Sequence, residues 1–263
     1  MIDGHVHLEN GPLTKEYVMQ FVEAAQKAGV DCLHILDHTH RFCEFAPLYE
    51  DLRKDNQSQR DWFAKKLKEP LANYHRLIAE MKQTELPIEV KFGLEVCYVP
   101  KQEAFLKNIL CQYPYDFLIG SIHSIDGKLY DMPSFSKEIL WDILDTDAIY
   151  QRYYEIMEDM IESDLFTQIA HPDQLKLFHY EPHYDLKPTY RRIASLAYKY
   201  HVSMESNTGI HYRYQHEDLG TNLTFLTILK QAGVNIITAS DAHQPAHVGS
   251  YIKEMMKVLE ELV

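Results

Sequence analysis

The chain has 263 residues, 46% of them hydrophobic, and a formal net charge of -13. That composition excludes a disordered chain. The negative balance makes nucleic acid a poor partner, while a small phosphorylated metabolite stays open because bound cations reverse a local field. No apolar run reaches the length of a membrane span. The opening Met1-Ile2-Asp3-Gly4-His5 lacks the basic and apolar regions of a signal peptide. Cys32, Cys43, Cys97 and Cys111 form no C-x-x-C pair. Reduced thiols in a cytoplasmic protein are the expectation, with one domain over residues 1–263.

Apolar runs alternate with amphipathic segments along the chain. The first strand is short and ends at His5 and His7. A helix over Thr14–Ala28 follows, opened by a Thr cap and closed at Gly29. The next strands are expected at Asp31–Leu36, Ile88–Val96, Phe117–Ile122, Phe166–Ala170, Val202–Glu205 and Val234–Ala239. Helical patterns occupy Lys187–Tyr200, Asn222–Ala232 and His247–Leu262. Strand–helix alternation argues for a parallel sheet. Two connections are long. Residues 39–86 are charged and aromatic, with a helical pattern around Asp61–Met81. Residues 126–163 are rich in tyrosine and acid. Either is a lid candidate or a surface insertion.

Metal-type side chains stand at the strand ends: His5 and His7, His38, Glu95, His123, His171, and Asp241 with His243. In a closed parallel barrel such ends converge on one face. Residues two apart in a strand share a side, so His5 with His7 and Asp241 with His243 can each meet one ion. A lone His-x-His is weak evidence; eight such residues at strand ends are not. Glu95 is a natural bridge between two ions, or an exposed strand-end acid. Asp241 is a ligand or a helix cap. Asp37 suits an orienting role beside His38. Imidazoles mixed with carboxylates fit zinc, manganese or iron.

The segments Asp-Gly-His-Val-His, Asp37-His38, Gly93-Leu94-Glu95, Gly120-Ser121-Ile122-His123, Ala170-His171-Pro172-Asp173 and Ser240-Asp241-Ala242-His243 resemble, in this order, the PHP (polymerase and histidinol phosphatase) family. The chain is most similar to its histidinol-phosphate phosphatase branch, through His5–Thr14 and Arg41-Phe42. The resemblance implies an α/β fold, a distorted seven-stranded (β/α)7 TIM-like barrel, with two or three divalent ions at the C-terminal strand ends. It implies His5, His7, Glu95 and Asp241 on the first ion, and Glu95, His123 and His171 on the second. His38 and His243 would hold the third. Many relatives add a histidine from the first loop; here Leu8-Glu9-Asn10-Gly11 stands there, and Glu9 is the candidate.

The activity so implied is metal-dependent phosphomonoester hydrolysis, with ions activating water and neutralising phosphate charge. Asp241 or His243 would assist proton transfer. The branch's Gly-Leu-Arg-Lys-like segment is replaced by Gly209-Ile210-His211-Tyr212-Arg213, so Arg213, His211 and Arg41 are the phosphate-binding candidates. Asp173, Glu181 and Asp185 are candidates for meeting an amine. L-histidinol phosphate is the leading substrate. Another sugar or nucleotide phosphate is the alternative, as is a PHP module that binds metal without turnover.

Overall fold

A computed structural model describes residues 1–262. Among these, seven strands run parallel and neighbour one another in chain order. They are β1 (Ile2–His7), β2 (Cys32–Leu36), β3 (Glu89–Cys97), β4 (Phe117–Ser121), β5 (Gln168–Ile169), β6 (Ser203–Asn207) and β7 (Ile236–Ala239). Helix α1 (Lys15–Ala28) joins β1 to β2, and α2 (Glu50–Asp55), α3 (Gln57–Phe63) and α4 (Leu71–Met81) join β2 to β3. Then α5 (Glu103–Leu110), α6 (Thr146–Glu162) and α7 (Lys187–Lys199) fill the next three crossovers. Short α8 (Gly209–Tyr214) and α9 (Leu223–Gln231) lead to β7, and α10 (Ile252–Glu261) closes the chain.

Local chemistry explains the elements. In α1 the Thr14 hydroxyl accepts from the Tyr17 amide, and Val18, Phe21, Val22 and Ala25 form one buried stripe. Burying each large member of such a stripe stabilises by roughly 1.5–3 kcal/mol. Gly29, at φ 80°, ends the helix in the left-handed conformation that glycine adopts freely. The pattern over Asp61–Met81 becomes two helices, not one. Leu67 takes φ 58°, and Pro70 can open α4 but cannot continue α3. The strand expected over Phe166–Ala170 shortens to Gln168–Ile169, with further main-chain bonds at Thr167 and Ala170. The last helix begins at Ile252, five residues later than the sequence suggests, because Gly249 and Tyr251 both take positive φ.

The long second connection is fastened to the fourth. Buried Gln59 donates to the carbonyls of Leu52 (2.8 Å) and Gly127 (3.0 Å), and its own carbonyl accepts from the Leu129 amide (2.6 Å). Residues 39–86 are thus held over the C-terminal ends of the strands. The main core lies between sheet and helices. A separate apolar cluster joins Leu36, Phe117 and Ile119 of the strands to Ala170, just past β5.

The seam between β7 and β1 nearly closes the barrel. Val6 bridges Ala242 in parallel, with the His7 amide donating to the Ala242 carbonyl (2.8 Å). Side chains fasten the seam further. Asp3, fully buried, accepts from the Ser240 amide (2.8 Å), the Ser240 hydroxyl (2.6 Å) and the Gly249 amide (2.8 Å). Gly4 permits the approach, since a Cβ there would lie 2.3 Å from Ile237 Cγ2. Asp3→Ala leaves buried donors without a partner, at about 1–3 kcal/mol each. The expected loss is about 2–4 kcal/mol at neutral pH, read by urea unfolding. Burial pushes the Asp3 carboxyl up to about 6 against the hydrogen bonds that lower it. Its proton is therefore held more tightly in the folded chain. The contribution of this group is largest in acid and weakens as pH rises from about 4 to about 6.

Candidate metal centre

His5 and His7 leave β1 on the same side, both fully buried, with their Nε2 atoms 2.8 Å apart. Glu95 Oε2 lies 3.5 Å from each. Asp241 Oδ1 lies 3.2 Å from His7 Nε2 and 3.8 Å from His5 Nε2. Four donor atoms thus face one point. The His5 tautomer suits a ligand: Nδ1–H donates to Glu205 Oε1 at 2.8 Å, leaving the Nε2 lone pair for a cation.

A second group gathers on the other oxygen of Glu95. Oε1 lies 2.9 Å from His123 Nε2 and 3.2 Å from His171 Nε2. Asp131 accepts from His123 Nδ1–H at 2.6 Å, again freeing Nε2. Glu95 therefore stands between two donor sets, held by its amide on the Asp37 carbonyl (3.1 Å). Its Oε2 is buried, and His38 Nδ1 approaches to 2.6 Å without hydrogen-bond geometry. Glu95 Oε2 and His38 Nδ1 are thus close enough to serve as neighbouring ligands of one cation. His171 (φ 28°) and Asp241 (φ 55°) hold strained backbone conformations for residues with a side chain.

Glu9 occupies a third position. Its Oε1 lies 3.3 Å from His243 Nε2, and Oε2 lies 3.4 Å from Lys66 Nζ. His38 stacks between His7 and His40, at ring separations of 4.1 and 4.4 Å.

The electrostatics favour carboxylates that stay charged. Burial pushes Glu95 up, but His38, His123 and His5 outweigh it and hold the acid well below its ordinary range. Asp241 behaves alike, burial being overcome by Arg213, His7 and His243. Glu9 is lowered too, against its burial, by His40, His38 and His7. His243 is pushed down to about 4 by burial, with the Arg213 charge adding to it. His7 is lowered by burial and by the neighbouring His38 and His243. His5 and His123 go the other way: against their burial, Glu205 and Glu95 hold the first, and Asp131 and Glu95 the second, well above the ordinary imidazole range, so a divalent ion entering among these ionised carboxylates displaces protons.

Above these groups is a cavity of about 240 Å³. Glu9, His38, His123, His171, Asp241 and His243 line it from below. His40, Tyr49, Trp62, Phe63 and Lys66, from the second connection, and Tyr214 wall it. The three phosphate-binding candidates part company here. Arg213 lines the cavity and holds Asp241, Nη1 to Oδ2 at 2.9 Å. Arg41 is committed elsewhere, to Asp37 Oδ2 (2.6 Å) and the carbonyls of Leu8 (2.9 Å) and Gly11 (2.8 Å), and it does not line the cavity. His211 also lies outside the lining, donating from Nδ1 to the His216 carbonyl (2.8 Å). Asp37 serves Arg41 and the His38 amide, not an imidazole. Asp173, Glu181 and Asp185 line a neighbouring depression.

Four participants escaped the sequence reading. Glu205 ends β6 as Glu95 nears the end of β3, and the same strand-end rule points to it. It receives His5, Gln168, the His171 amide and Asn207. His40 follows His38 at the spacing of the other pairs. Asp131 and Lys66 sit in the long connections, where no periodicity marks them.

Comparison with known proteins gives a consistent family. The PHP domain model matches residues 3–209. A Deinococcus radiodurans protein named "Probable histidinol-phosphatase" is 24% identical over 272 residues, covering 100% of this chain and 94% of that one. A Listeria monocytogenes structure assigned as the histidinol phosphatase hisK superposes with a TM-score of 0.76 at 18% identity, covering 96% of this chain and 99% of that one. The histidinol phosphate phosphatase of Lactococcus lactis, solved with zinc, L-histidinol and phosphate, gives 0.67 at 16% identity, covering 99% and 93%. The match spans most of the chain, and the chain belongs to the PHP domain family.

Proposed function

We propose that the metal-dependent phosphatase formed by this chain hydrolyses L-histidinol phosphate to L-histidinol and phosphate, using two or three zinc, manganese or iron ions. The observation that carries this reading is Glu95, whose two oxygens serve two donor groups beneath a small cavity. The Deinococcus relative's name and the ligands in the Lactococcus structure support the choice of ester. Bound ions would lower the pKa of a water and neutralise phosphate charge.

The chain's own residues supply the rest. His5, His7, Glu95 and Asp241 would hold one ion, and Glu95, His123 and His171 another. Glu9, His38 and His243 are placed for a third. Arg213 spends one nitrogen on Asp241, and its remaining N–H groups suit a phosphate oxygen. Where the third ion is absent, His243, lowered to about 4 and so largely neutral at pH 7, is free to accept a proton at Nε2. Tyr49, Trp62 and Phe63 offer flat apolar faces to an imidazole ring, and Asp131 and Glu9 offer carboxylates to an ammonium.

The test is phosphate release with added Mn²⁺ or Zn²⁺, histidinol phosphate being run beside sugar phosphates and nucleotides. The expected result is a kcat/KM for histidinol phosphate well above the panel and lost in His123→Ala. Preference for another ester would move the substrate. No turnover with metal still bound would leave a binding module. Arg213→Ala should lower kcat/KM by roughly 10- to 100-fold, the worth of one charge-assisted hydrogen bond, with much of the loss in KM.

A further inference from the structure

Of the buried histidines around the cavity, His40 has no role in the ligand sets above. It lies in the first turn after β2, within Asp37-His38-Thr39-His40, and is 8% exposed. Its Nε2 is buried and has no hydrogen-bond partner among the described residues. The atom is not adrift. It points at Glu9 Oε2, 3.7 Å away, too far for a hydrogen bond. One ligand atom each from Glu9, His38 and His40 falls within a 4.8 Å group. Glu9 also reaches His243 Nε2 with its other oxygen. A buried nitrogen, a carboxylate oxygen spaced just beyond contact and the His38 imidazole thus converge, with His243 on the far oxygen of Glu9.

We infer that His40 is a ligand of the third ion, completing a set of Glu9, His38, His40 and His243. The inference rests on the metal-centre reading and extends it to a residue of the long second connection. Three nitrogens and one oxygen suit zinc in a tetrahedral site, or manganese and iron with added waters. Lys66 Nζ now stands 3.4 Å from Glu9 Oε2, on a long side chain that is 29% exposed. Its ammonium and a divalent ion compete for the same oxygen, so Lys66 withdraws when the ion enters. His40 is also tied to the wall of the cavity. Its carbonyl accepts from the Leu67 amide (2.8 Å), and its ring meets Trp62 edge-on at 5.0 Å. An ion on Nε2 would therefore fasten residues 57–70 to the barrel.

The experiment counts ions without substrate, so it stands apart from the choice of ester. Wild type, His40→Ala and His75→Ala are stripped with chelator, reloaded with Zn²⁺, dialysed and assayed for zinc per chain. His75, stacked on Tyr113 at 3.7 Å away from the centre, controls for loss of a histidine. Wild type and His75→Ala should hold three ions and His40→Ala two. Anomalous scattering from zinc-loaded wild-type crystals should show a peak bonded to His40 Nε2, a readout that does not depend on the variant folding. Amide exchange in residues 57–70 should slow on zinc loading in wild type and not in His40→Ala. A wild type holding only two ions, a His40→Ala chain still holding three, or a third peak remote from His40 overturns the inference.

Discussion

Glu95→Gln should reduce kcat/KM by about 10³-fold or more and lower the metal content of the chain by more than one ion. The glutamine keeps shape and volume, so the β3 backbone and the Asp37 contact survive. What it loses is charge on two oxygens at once. Oε2 faces His5 and His7 at 3.5 Å, and Oε1 faces His123 and His171 at 2.9 and 3.2 Å. An amide offers one acceptor and turns two N–H donors toward the other group. One substitution therefore damages two sites, whereas His171→Ala touches one. The check is zinc per chain beside steady-state kinetics. A variant that loses only one ion would show that Glu95 serves a single ion, and one with full metal content that it holds neither.

Removal of the ions should cost stability as well as activity. Buried carboxylates at Glu95 and Asp241 lie among imidazoles, several of which burial keeps neutral. Without cations, the folded chain must either hold uncompensated charge or take up protons. Each ion present at a hundred times its Kd adds about 2.7 kcal/mol, so two add about 5. For a chain of this size that corresponds to a fall in Tm of roughly 10–20 °C on chelation. Calorimetry before and after dialysis against EDTA, then with zinc restored, measures it. Acid should mimic the chelator. His5 and His123 are held above the ordinary imidazole range and His243 is lowered to about 4, so protons compete first for the former two and the gap between loaded and stripped chains should narrow from neutral pH down to about 4. An unchanged Tm after verified metal removal would count against a centre that stabilises the fold.

The strand order and the convergence of the strand-end residues were legible because both follow from simple periodicities. Apolar runs separated by amphipathic helices imply a parallel sheet, and a polar residue just past each run implies one face. The family order of segments then narrowed the barrel to seven strands. Boundaries were less legible where a single backbone conformation decides them, as at Leu67, Gly249 and Tyr251. Arg41 shows a different limit. Its proximity to His38 in sequence suggested phosphate, but nearby carbonyls and Asp37 take up its guanidinium. Asp131 and Lys66 depend on how two irregular connections fold over the sheet, and no repeat in the sequence encodes that.

The Asp3 clasp has a consequence for the order in which the molecule is made. Asp3 and Ser240 are separated by 237 positions, so joining them closes a loop of nearly the whole chain. Until then β1 pairs only with β2 and presents a bare edge, the feature by which folding chains add to one another. The same edge carries His5 and His7, whose partner Asp241 arrives only with the last strand. A chain that stops short of Asp241 thus has no complete first ion site, and aggregation through β1 competes with closure. Metal capture becomes a late event that locks the circle shut, and zinc supplied during refolding should raise the yield of monomeric product more than zinc supplied afterwards.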